Sequence, residues 1–464
     1  MRGWNQWSYA PYRPLLREVG EPYICRVVPR ENGIHFEWLD SGAAEYSVFC
    51  RVKNAADFIE CGKTKRTEFE IDGLECGTDY EFYVCAGEQK SRIRLARTGA
   101  VAGTAVNYLH PEDEAYSFSG RYLCSPSLVR HPDGFLLASM DVYASEHPQN
   151  LTLIFRSDDD GASWHYVSEL MPCFWGKLFI HRGVLYMLGC STEYGDLLIG
   201  SSTDGGRTFS APVCLLRGAN GKNGAEGVHK NPQNVVVHGG RIYNTLEWGS
   251  WKNTDYYHAA MVMSCAEDAD LLNPENWHFS KPLKYDPSWN GTVNGPTYGT
   301  IEGTLCVAPD GNLYNVMRYN ISSRAVPPYG RVLAYRVDTA DPDAPLTYSH
   351  AIDLPGNNVK FMIKYDAVSR QYYTIICRID CAERLAARNL LSLMRSADLE
   401  HWELVCDLID RRDADQTKVG FQYVDFIFEG EDLIWLCRTA QNGSHSHHDS
   451  NYSTFHRTKN FRTL

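Results

Sequence analysis

Six short hydrophobic runs in this chain end on residues that carry charge or a thiol. They are GFLLASMD ending at Asp141, GVLYMLGC at Cys190, GRIYNTLE at Glu247, GNLYNVMR at Arg318, QYYTIICR at Arg378 and EDLIWLCR at Arg438. If the runs are equivalent strands of a repeat, these ends form one polar ring of three arginines and two carboxylates. Charged groups are seldom withdrawn from water unless they are paired or used. The planar guanidinium fork grips a carboxylate through two parallel hydrogen bonds, so the ring suits an anionic substrate; mutual pairing that simply closes a channel is the other use. A second set, Trp175 and Lys177, His229 and Lys230, and Lys360, stands at the starts of neighbouring strands, as a subsite or as ordinary packing. A third set, His445, His447, His448 and Asp449, sits in a Ser/Asn-rich loop. With no helix or strand to fix its spacing, it suits the mouth of a site, with His448 as a substrate contact, better than a metal centre. No metal or other cofactor is expected.

The elements that must position these groups follow a repeat running from about residue 102 to the end. Each unit has a strand, a turn carrying Asp-Gly, Gly-Gly or Glu-Gly, a second strand ending in the polar residue, and a third strand leading to a tight turn. Six units over this length predict an all-β chain whose main part, 102–464, is a six-bladed β-propeller. The turns SDDDGASW (Ser157 to Trp164) and STDGGRTF (Ser202 to Phe209) resemble the Asp boxes of such propellers, and SADLEHW from Ser396 is a weaker version. In each, Ser and Asp tie down the turn, Gly supplies a positive φ and the final aromatic packs between sheets. By that resemblance the turns lie on the face away from the site.

Ahead of the repeat, residues 22–98 read as about seven short alternating strands, the count of an immunoglobulin-like β-sandwich. Leu74 followed by Gly77-Thr78-Asp79-Tyr80 resembles the tyrosine corner of fibronectin type III modules, which serve as spacers or docking surfaces. Residues 1–21 form an N-terminal extension without an apolar signal-peptide core, and no run approaches the ~20 apolar residues of a membrane span. The chain of 464 residues carries a formal net charge of −12, which argues against nucleic acid as a partner. Its 15 scattered cysteines include no CxxC pair. Together these lead to the expectation of reduced thiols in a cytoplasm, unless a leader was trimmed. The 28 Tyr and 11 Trp supply surfaces for sugar stacking and for strands alike.

Over its last three quarters the chain resembles the sialidases. CSPSLVRHPDGFLLASMD, from Cys124 to Asp141, is similar to their first blade, with Asp141 at the arginine-adjacent acid and Cys124 where the family has arginine. Arg121 and Arg438 are the candidates to replace that arginine. The loop VYASEHPQN lies where the family keeps its acid/base, which implies Glu146, with His147 behind it. IEGTLCVAPDGNLYNVMR resembles the segment that carries the glutamate beside the nucleophile and a carboxylate-binding arginine, implying Glu302 and Arg318. RNLLSLMRSADLEHW implies a further arginine, Arg388 with Arg378 competing. VGFQYVDFIFEGEDLIW resembles the strand presenting the tyrosine nucleophile; direct alignment falls near Phe421, and Tyr423 two residues on keeps the same side. The C-terminal HHDSNYSTFHRTKNFR is similar to that of a bacterial sialidase-like group. The resemblance implies an exo-acting glycoside hydrolase removing a terminal acidic sugar, sialic or uronic, from an oligosaccharide or glycoside. Arginines hold the sugar, Glu302 accepts the proton of Tyr423, and Glu146 protonates the leaving oxygen. Two other readings use the same residues: a hydrolase or lyase acting on another sugar such as rhamnose through a histidine from 445–456, and a binding propeller without chemistry.

Overall fold

The computed structural model describes residues 21–219, 224–253, 256–293, 297–321 and 324–464; of the extension 1–21, all but Glu21 lies outside them. Among the described residues the chain is all-β, with only three single-turn 3₁₀ helices, Pro274–Asn276, Ala382–Arg384 and Phe461–Thr463. Two small sheets come first. One holds Tyr23–Arg30, Gly33–Leu39 and Glu68–Asp72; the other holds Tyr46–Val52, Ile59–Thr64, Asp79–Ala86, Gln89–Lys90 and Arg94–Arg97. Their alternating apolar faces close over Val27, Phe36, Trp38, Val48 and Phe82. Glu75 N donates to the Tyr80 hydroxyl at 2.9 Å, fixing the corner that Gly77 turns. Ile59–Thr64 (IECGKT) is a strand that alternation did not announce, because it lies on an edge and none of its residues is buried.

Six antiparallel sheets follow, called I to VI here. Sheet I is Tyr122–Arg130, Leu136–Tyr143, Leu151–Ser157 and His165–Leu170; sheet II is Phe174–His181, Val184–Cys190, Leu197–Ser202 and Val213–Leu216. Sheet III is built on Gly227–His229, Val236–His238, Arg241–Gly249 and His258–Ala266, with Trp277–Phe279 and Leu283–Lys284 beside them. Sheet IV is Thr297–Val307, Leu313–Ile321, Val332–Arg336 and Thr347–Ile352; sheet V is Ile363–Asp366, Gln371–Cys377, Leu390–Ser396 and Glu403–Asp410. Sheet VI joins Gly420–Glu429, Asp432–Ala440 and Tyr452–Thr458 to Thr104–Tyr108, a strand from the other end of the chain. That pairing ties the last sheet to the segment before the first and removes an open edge.

The opening strands of the sheets bond to one another through side chains. Leu178 N donates to Ser127 Oγ at 3.0 Å, Ile363 N to Thr304 Oγ1 at 3.2 Å, and Leu128 N to Asp425 Oδ2 at 2.9 Å. Asp425, fully buried, also pairs with Lys177 and, at 3.2 Å, with Lys364. These contacts gather strands from sheets I, II, V and VI around one carboxylate. The two small sheets are docked on this body rather than tethered to it. Arg26 Nε donates to Val106 O at 2.7 Å, Tyr166 N to Glu37 Oε2 at 3.2 Å, and the buried Arg94–Asp113 pair spans 2.7 Å.

The first two S-x-D turns share one geometry, and the third closes one residue earlier. Gly161 N donates to Ser157 Oγ at 2.8 Å, Gly206 N to Ser202 Oγ at 2.9 Å and Leu399 N to Ser396 Oγ at 2.9 Å. Each serine in turn donates to the aspartate two residues on. Leu399 adopts φ of 72°, a left-handed conformation that glycine takes without penalty and leucine does not. Trp164, closing the first turn, packs 5.4 Å from Phe455 and so joins sheet I to sheet VI.

Candidate active site

The first strands of sheets I, II, IV and VI each carry a bulge near the start, where two residues face one on the partner strand. The register shifts fall at Cys124/Ser127, Phe174/Lys177, Ile301/Thr304 and Gln422/Asp425. Within them Ser125, Trp175, Glu302 and Tyr423 have φ of 51°, 53°, 56° and 57°. A non-glycine residue in that region costs on the order of 1 kcal/mol or more, and bulges re-aim side chains at functional sites. Glu302 and Tyr423 therefore occupy matching positions in two sheets, each turned out of its strand's alternation. The residue just before each bulge pairs with the end of the second strand: Cys124 with Asp141, Phe174 with Cys190, Ile301 with Arg318 and Gln422 with Arg438. In sheet III, His229 pairs with Glu247 in the same way. The polar strand ends thus lie at one level.

At that level three arginines surround Tyr423. Arg318 forms an ion pair with Glu302 and donates to the Tyr423 hydroxyl at 3.2 Å, while its Nε donates to Asn320 at 2.8 Å. Arg438 lies with its guanidinium carbon 5.1 Å from the Tyr423 ring centre and 5.6 Å from that of Tyr143. Its terminal nitrogen donates to the carbonyl of His448, and its Nε is buried without a partner. Arg388, half-buried, donates to Gln422. Among the described residues neither Arg388 nor Arg438 has a carboxylate within ion-pair distance. Burial, with repulsion from Arg318 and Arg438, pulls the Arg388 guanidinium down to about 10.

Burial works to raise the Glu302 carboxyl, but Arg318, the neighbouring His229 and hydrogen bonds from Arg318 and Tyr423 hold it below its ordinary value. The Tyr423 hydroxyl is raised by burial and by Glu302; the three arginines only partly offset this. The pair is therefore a protonated phenol beside an ionised carboxylate. Tyrosine is a weak nucleophile in that state, and attack through it requires transfer of its proton to Glu302.

The remaining candidate residues fall in several places. Asp141 is fully buried: it accepts from Thr152 Oγ1 at 2.5 Å and from Trp175 N at 2.7 Å, so it holds the bulge of sheet II. Burial pushes its carboxyl up to about 7 against these hydrogen bonds. Glu247 does for sheet IV what Asp141 does for sheet II, accepting from Gly303 N at 3.2 Å beside Glu302, while its other oxygen meets His229 Nδ1 at 2.7 Å. Neither carboxylate faces solvent, because each is used to satisfy backbone N–H groups left unpaired by a bulge. Lys177, expected beside substrate, is buried against Asp425 in the interior. Arg378 is turned to Asp407, which accepts two hydrogen bonds at 2.9 Å. Arg121 pairs with Glu114 at 2.6 Å. Arg438 is thus the arginine that stands next to Tyr423 in the absence of one at Cys124. Glu146 is exposed in its loop, away from any described ion pair.

His448 lies against this group, its ring 5.7 Å from Tyr143 and its Nδ1 2.8 Å from Asp449. Burial and Arg438 push it down to about 4. His445 reaches the other Asp449 oxygen at 2.8 Å, and His447 Nδ1 approaches the Gln416 carbonyl at 3.0 Å. His445 and His448 share Asp449 while His447 turns to Gln416, and among the described residues no three His, Cys, Asp or Glu side chains are grouped as metal ligands. Residues that the sequence did not single out include Gln422, which braces Arg388, Tyr143, which faces Arg438, and Asp425. Their only signal in the sequence is adjacency to Tyr423 and to Asp141. Trp175 is half-buried, its ring 4.2 Å from that of His229.

A separate cavity of about 900 Å³ opens at the far ends of the first strands, between Leu128, Phe179, Val235, Val307, Ile363 and Phe428. Its lining also includes Arg130, Lys177, His181, Lys364 and Arg370, and no acidic side chain.

No protein-family model and no curated protein sequence matches the chain. Solved structures do. The chain is similar to an α-L-arabinanase of Penicillium chrysogenum solved with arabinobiose, with a TM-score of 0.51, 16% identity, and coverage of 79% of this chain and 99% of that one. It is also similar to an α-L-arabinofuranosidase of Fusarium graminearum, likewise solved with arabinobiose, with a TM-score of 0.50, 14% identity, and coverage of 76% and 97%. A leech intramolecular trans-sialidase aligns over 96% of this chain and 95% of its own at a TM-score of 0.49 and 10% identity. At such identities the likeness to the first two defines the fold: an all-β chain of the class found in β-propeller glycosidases.

Proposed function

We propose that the chain is an exo-acting glycoside hydrolase that removes a terminal acidic sugar. Its body is read as a six-bladed β-propeller, sheets I to VI being the blades and the S-x-D turns its Asp boxes. The two small sheets over 22–98 are read as a fibronectin type III-like module. The observation that carries the activity is Tyr423, held between Glu302 and three arginines, two of which have no carboxylate partner among the described residues. A guanidinium without a counter-ion in a half-buried site costs free energy that a substrate carboxylate would recover.

In this reading Arg388 and Arg438 grip the substrate carboxylate, and Arg318 shares its charge between that group and Glu302. Drawing Arg318 toward substrate weakens its hold on Glu302, whose carboxylate then becomes a better proton acceptor as Tyr423 attacks the anomeric carbon. A neutral nucleophile avoids setting a second anion against an anionic sugar. Two displacements, by Tyr423 and then by water, give retention at the anomeric centre.

The test is a panel of aryl sialosides, aryl uronides and aryl rhamnosides, with product stereochemistry read by proton NMR. Cleavage of an acidic member with retention is expected. Turnover confined to neutral sugars would refute the role given to the arginines.

A further inference from the structure

We infer that His229, oriented by Glu247, is the proton-transferring acid/base of this site, in place of the loop acid Glu146. This rests on the glycosidase reading above and names the residue that serves the leaving group. His229 ends the first strand of sheet III, opposite Glu247 on the second. Its Nδ1 lies 2.7 Å from Glu247 Oε2, with His229 only 2% exposed and Glu247 fully buried. The other Glu247 oxygen accepts from Gly303 N at 3.2 Å, the residue that follows Glu302 in its bulge. One carboxylate therefore fixes both the imidazole and the backbone that presents Glu302. With Nδ1 engaged, Nε2 is the nitrogen left to exchange a proton.

The surroundings suit that role. The bond from Gly303 N to Glu247 puts the carboxylate that orients the imidazole beside Glu302. The Trp175 ring, at 4.2 Å, covers one face, and the His258 ring stands 4.8 Å away. His258 Nε2 is 2.9 Å from the Tyr194 hydroxyl, and burial together with His229 and Arg318 holds His258 well below the usual histidine value. It is therefore neutral and does not oppose a charge on His229. The groups facing His229 are Glu247, Glu302, His258, Tyr194 and the rings of Trp175 and Trp251. Glu146, by contrast, is exposed on a loop with nothing among the described residues to hold it.

The steps balance. Tyr423 Oη bonds to the anomeric carbon and passes its proton to Glu302, while the glycosidic C–O bond breaks and the leaving oxygen takes the proton from His229 Nε2. Water then attacks the anomeric carbon and gives a proton back to Nε2. The Tyr423–carbon bond breaks, and the phenolate recovers its proton from Glu302. One glycoside and one water become a sugar and an alcohol.

The experiment compares 4-nitrophenyl and methyl glycosides of the sugar that the wild type cleaves best, using His229→Ala, Glu247→Gln and Glu146→Gln in the full chain. For His229→Ala, kcat/KM on the methyl glycoside is expected to fall by about 10³, within the usual range for a lost general acid. The nitrophenyl leaving group needs no proton, so its cleavage step is spared, and azide restores turnover by yielding the glycosyl azide. Glu247→Gln shows the same preference to a smaller degree. Nitrogen NMR of the wild type across pH, assigned by its loss in His229→Ala, is expected to show Nε2 as the nitrogen that releases its proton while Nδ1 keeps its own. Equal loss on both substrates, or the leaving-group signature in Glu146→Gln instead, overturns the assignment while leaving the glycosidase reading intact. A proton on Nε2 of neutral His229 overturns the dyad itself. A wild type that cleaves no glycoside removes the glycosidase reading and this role with it, and the tautomer still reports separately on the dyad.

Discussion

Replacing Arg388 by methionine is expected to make the protein more stable and nearly inactive at once. Burial and the neighbouring Arg318 and Arg438 lower this guanidinium from 12.5 to about 10. At about 1.36 kcal/mol per pH unit, the charged form is disfavoured by about 3 kcal/mol at most, at every pH below 10. The side chain is only half-buried, so solvent screening trims that figure to roughly 2 kcal/mol. Its removal frees Gln422 Oε1, which loses the Arg388 bond, at a cost of about 1 kcal/mol. Methionine keeps most of the stem's packing, which leaves a net gain of about 1 kcal/mol in urea unfolding at pH 7. In catalysis the same change removes one charge-assisted fork to the substrate carboxylate, worth about 2–4 kcal/mol, so kcat/KM should fall between about 30-fold and 10³-fold. Denaturation by urea and steady-state kinetics on the best acidic aryl glycoside measure the two effects together. If Arg388→Met destabilises by more than about 1 kcal/mol while kcat/KM is kept, the guanidinium is a structural brace and the reasoning fails.

Three further outcomes follow from the same geometry. Tyr423→Phe removes one hydroxyl bonded to Arg318 at 3.2 Å, so turnover should fall by about 10³ or more while the urea midpoint moves little; retained activity would exclude Tyr423 as nucleophile. Lys360, 2% exposed, is lowered by burial to about 7, with Asp425 and Glu302 opposing and Lys177 and Lys364 adding to the effect. The unfolded chain then binds more protons between pH 7 and 10, so this lysine contributes a stability that rises with pH across that window. Lys360→Met should raise stability at pH 6 by a few kcal/mol and flatten that rise, as read from unfolding curves at several pH values. Gly161→Ala places a Cβ 2.0 Å from the Phe455 ring at φ of 91°, so a loss of about 3 kcal/mol or more is expected; Gly134→Ala, at φ of 93° with nothing within 4 Å, should cost only about 1 kcal/mol. Comparable losses at the two sites would show that the first turn does not pack as described.

Much of this architecture is written locally. The alternation of GFLLASMD or EDLIWLCR specifies a strand, and the turn residues between runs specify where strands end, because both depend on neighbours within a few positions. The six second strands lie where the aligned runs put them, and in all but sheet V their ends share one register against the opening strands. The S-x-D turns are equally legible, since serine, aspartate and a residue at positive φ close on each other within four positions. Nothing local says that the strand Thr104–Tyr108 completes sheet VI.

What needed the tertiary structure is which of several similar residues stands free. Arg378 and Arg388 are ten positions apart in one stretch of sequence, yet Asp407 on the outer strand of sheet V neutralises the first and no described carboxylate reaches the second. Arg121 and Arg438 are equal candidates in the sequence, but Glu114 holds the first and Tyr423 lies under the second. The bulges that turn out Glu302 and Tyr423 break the period-2 rule, by which Tyr423 would share a side with Phe421, the residue that direct alignment favours and that is fully enclosed. A carboxylate of the adjacent sheet, Glu247, caps Gly303 N in the bulge of Glu302, as Asp141 caps Trp175 N in sheet II. A strand's pattern is set by residues beside it in the chain. The charge state and direction of a site residue are set by partners tens to hundreds of residues away, and only packing decides which partner arrives.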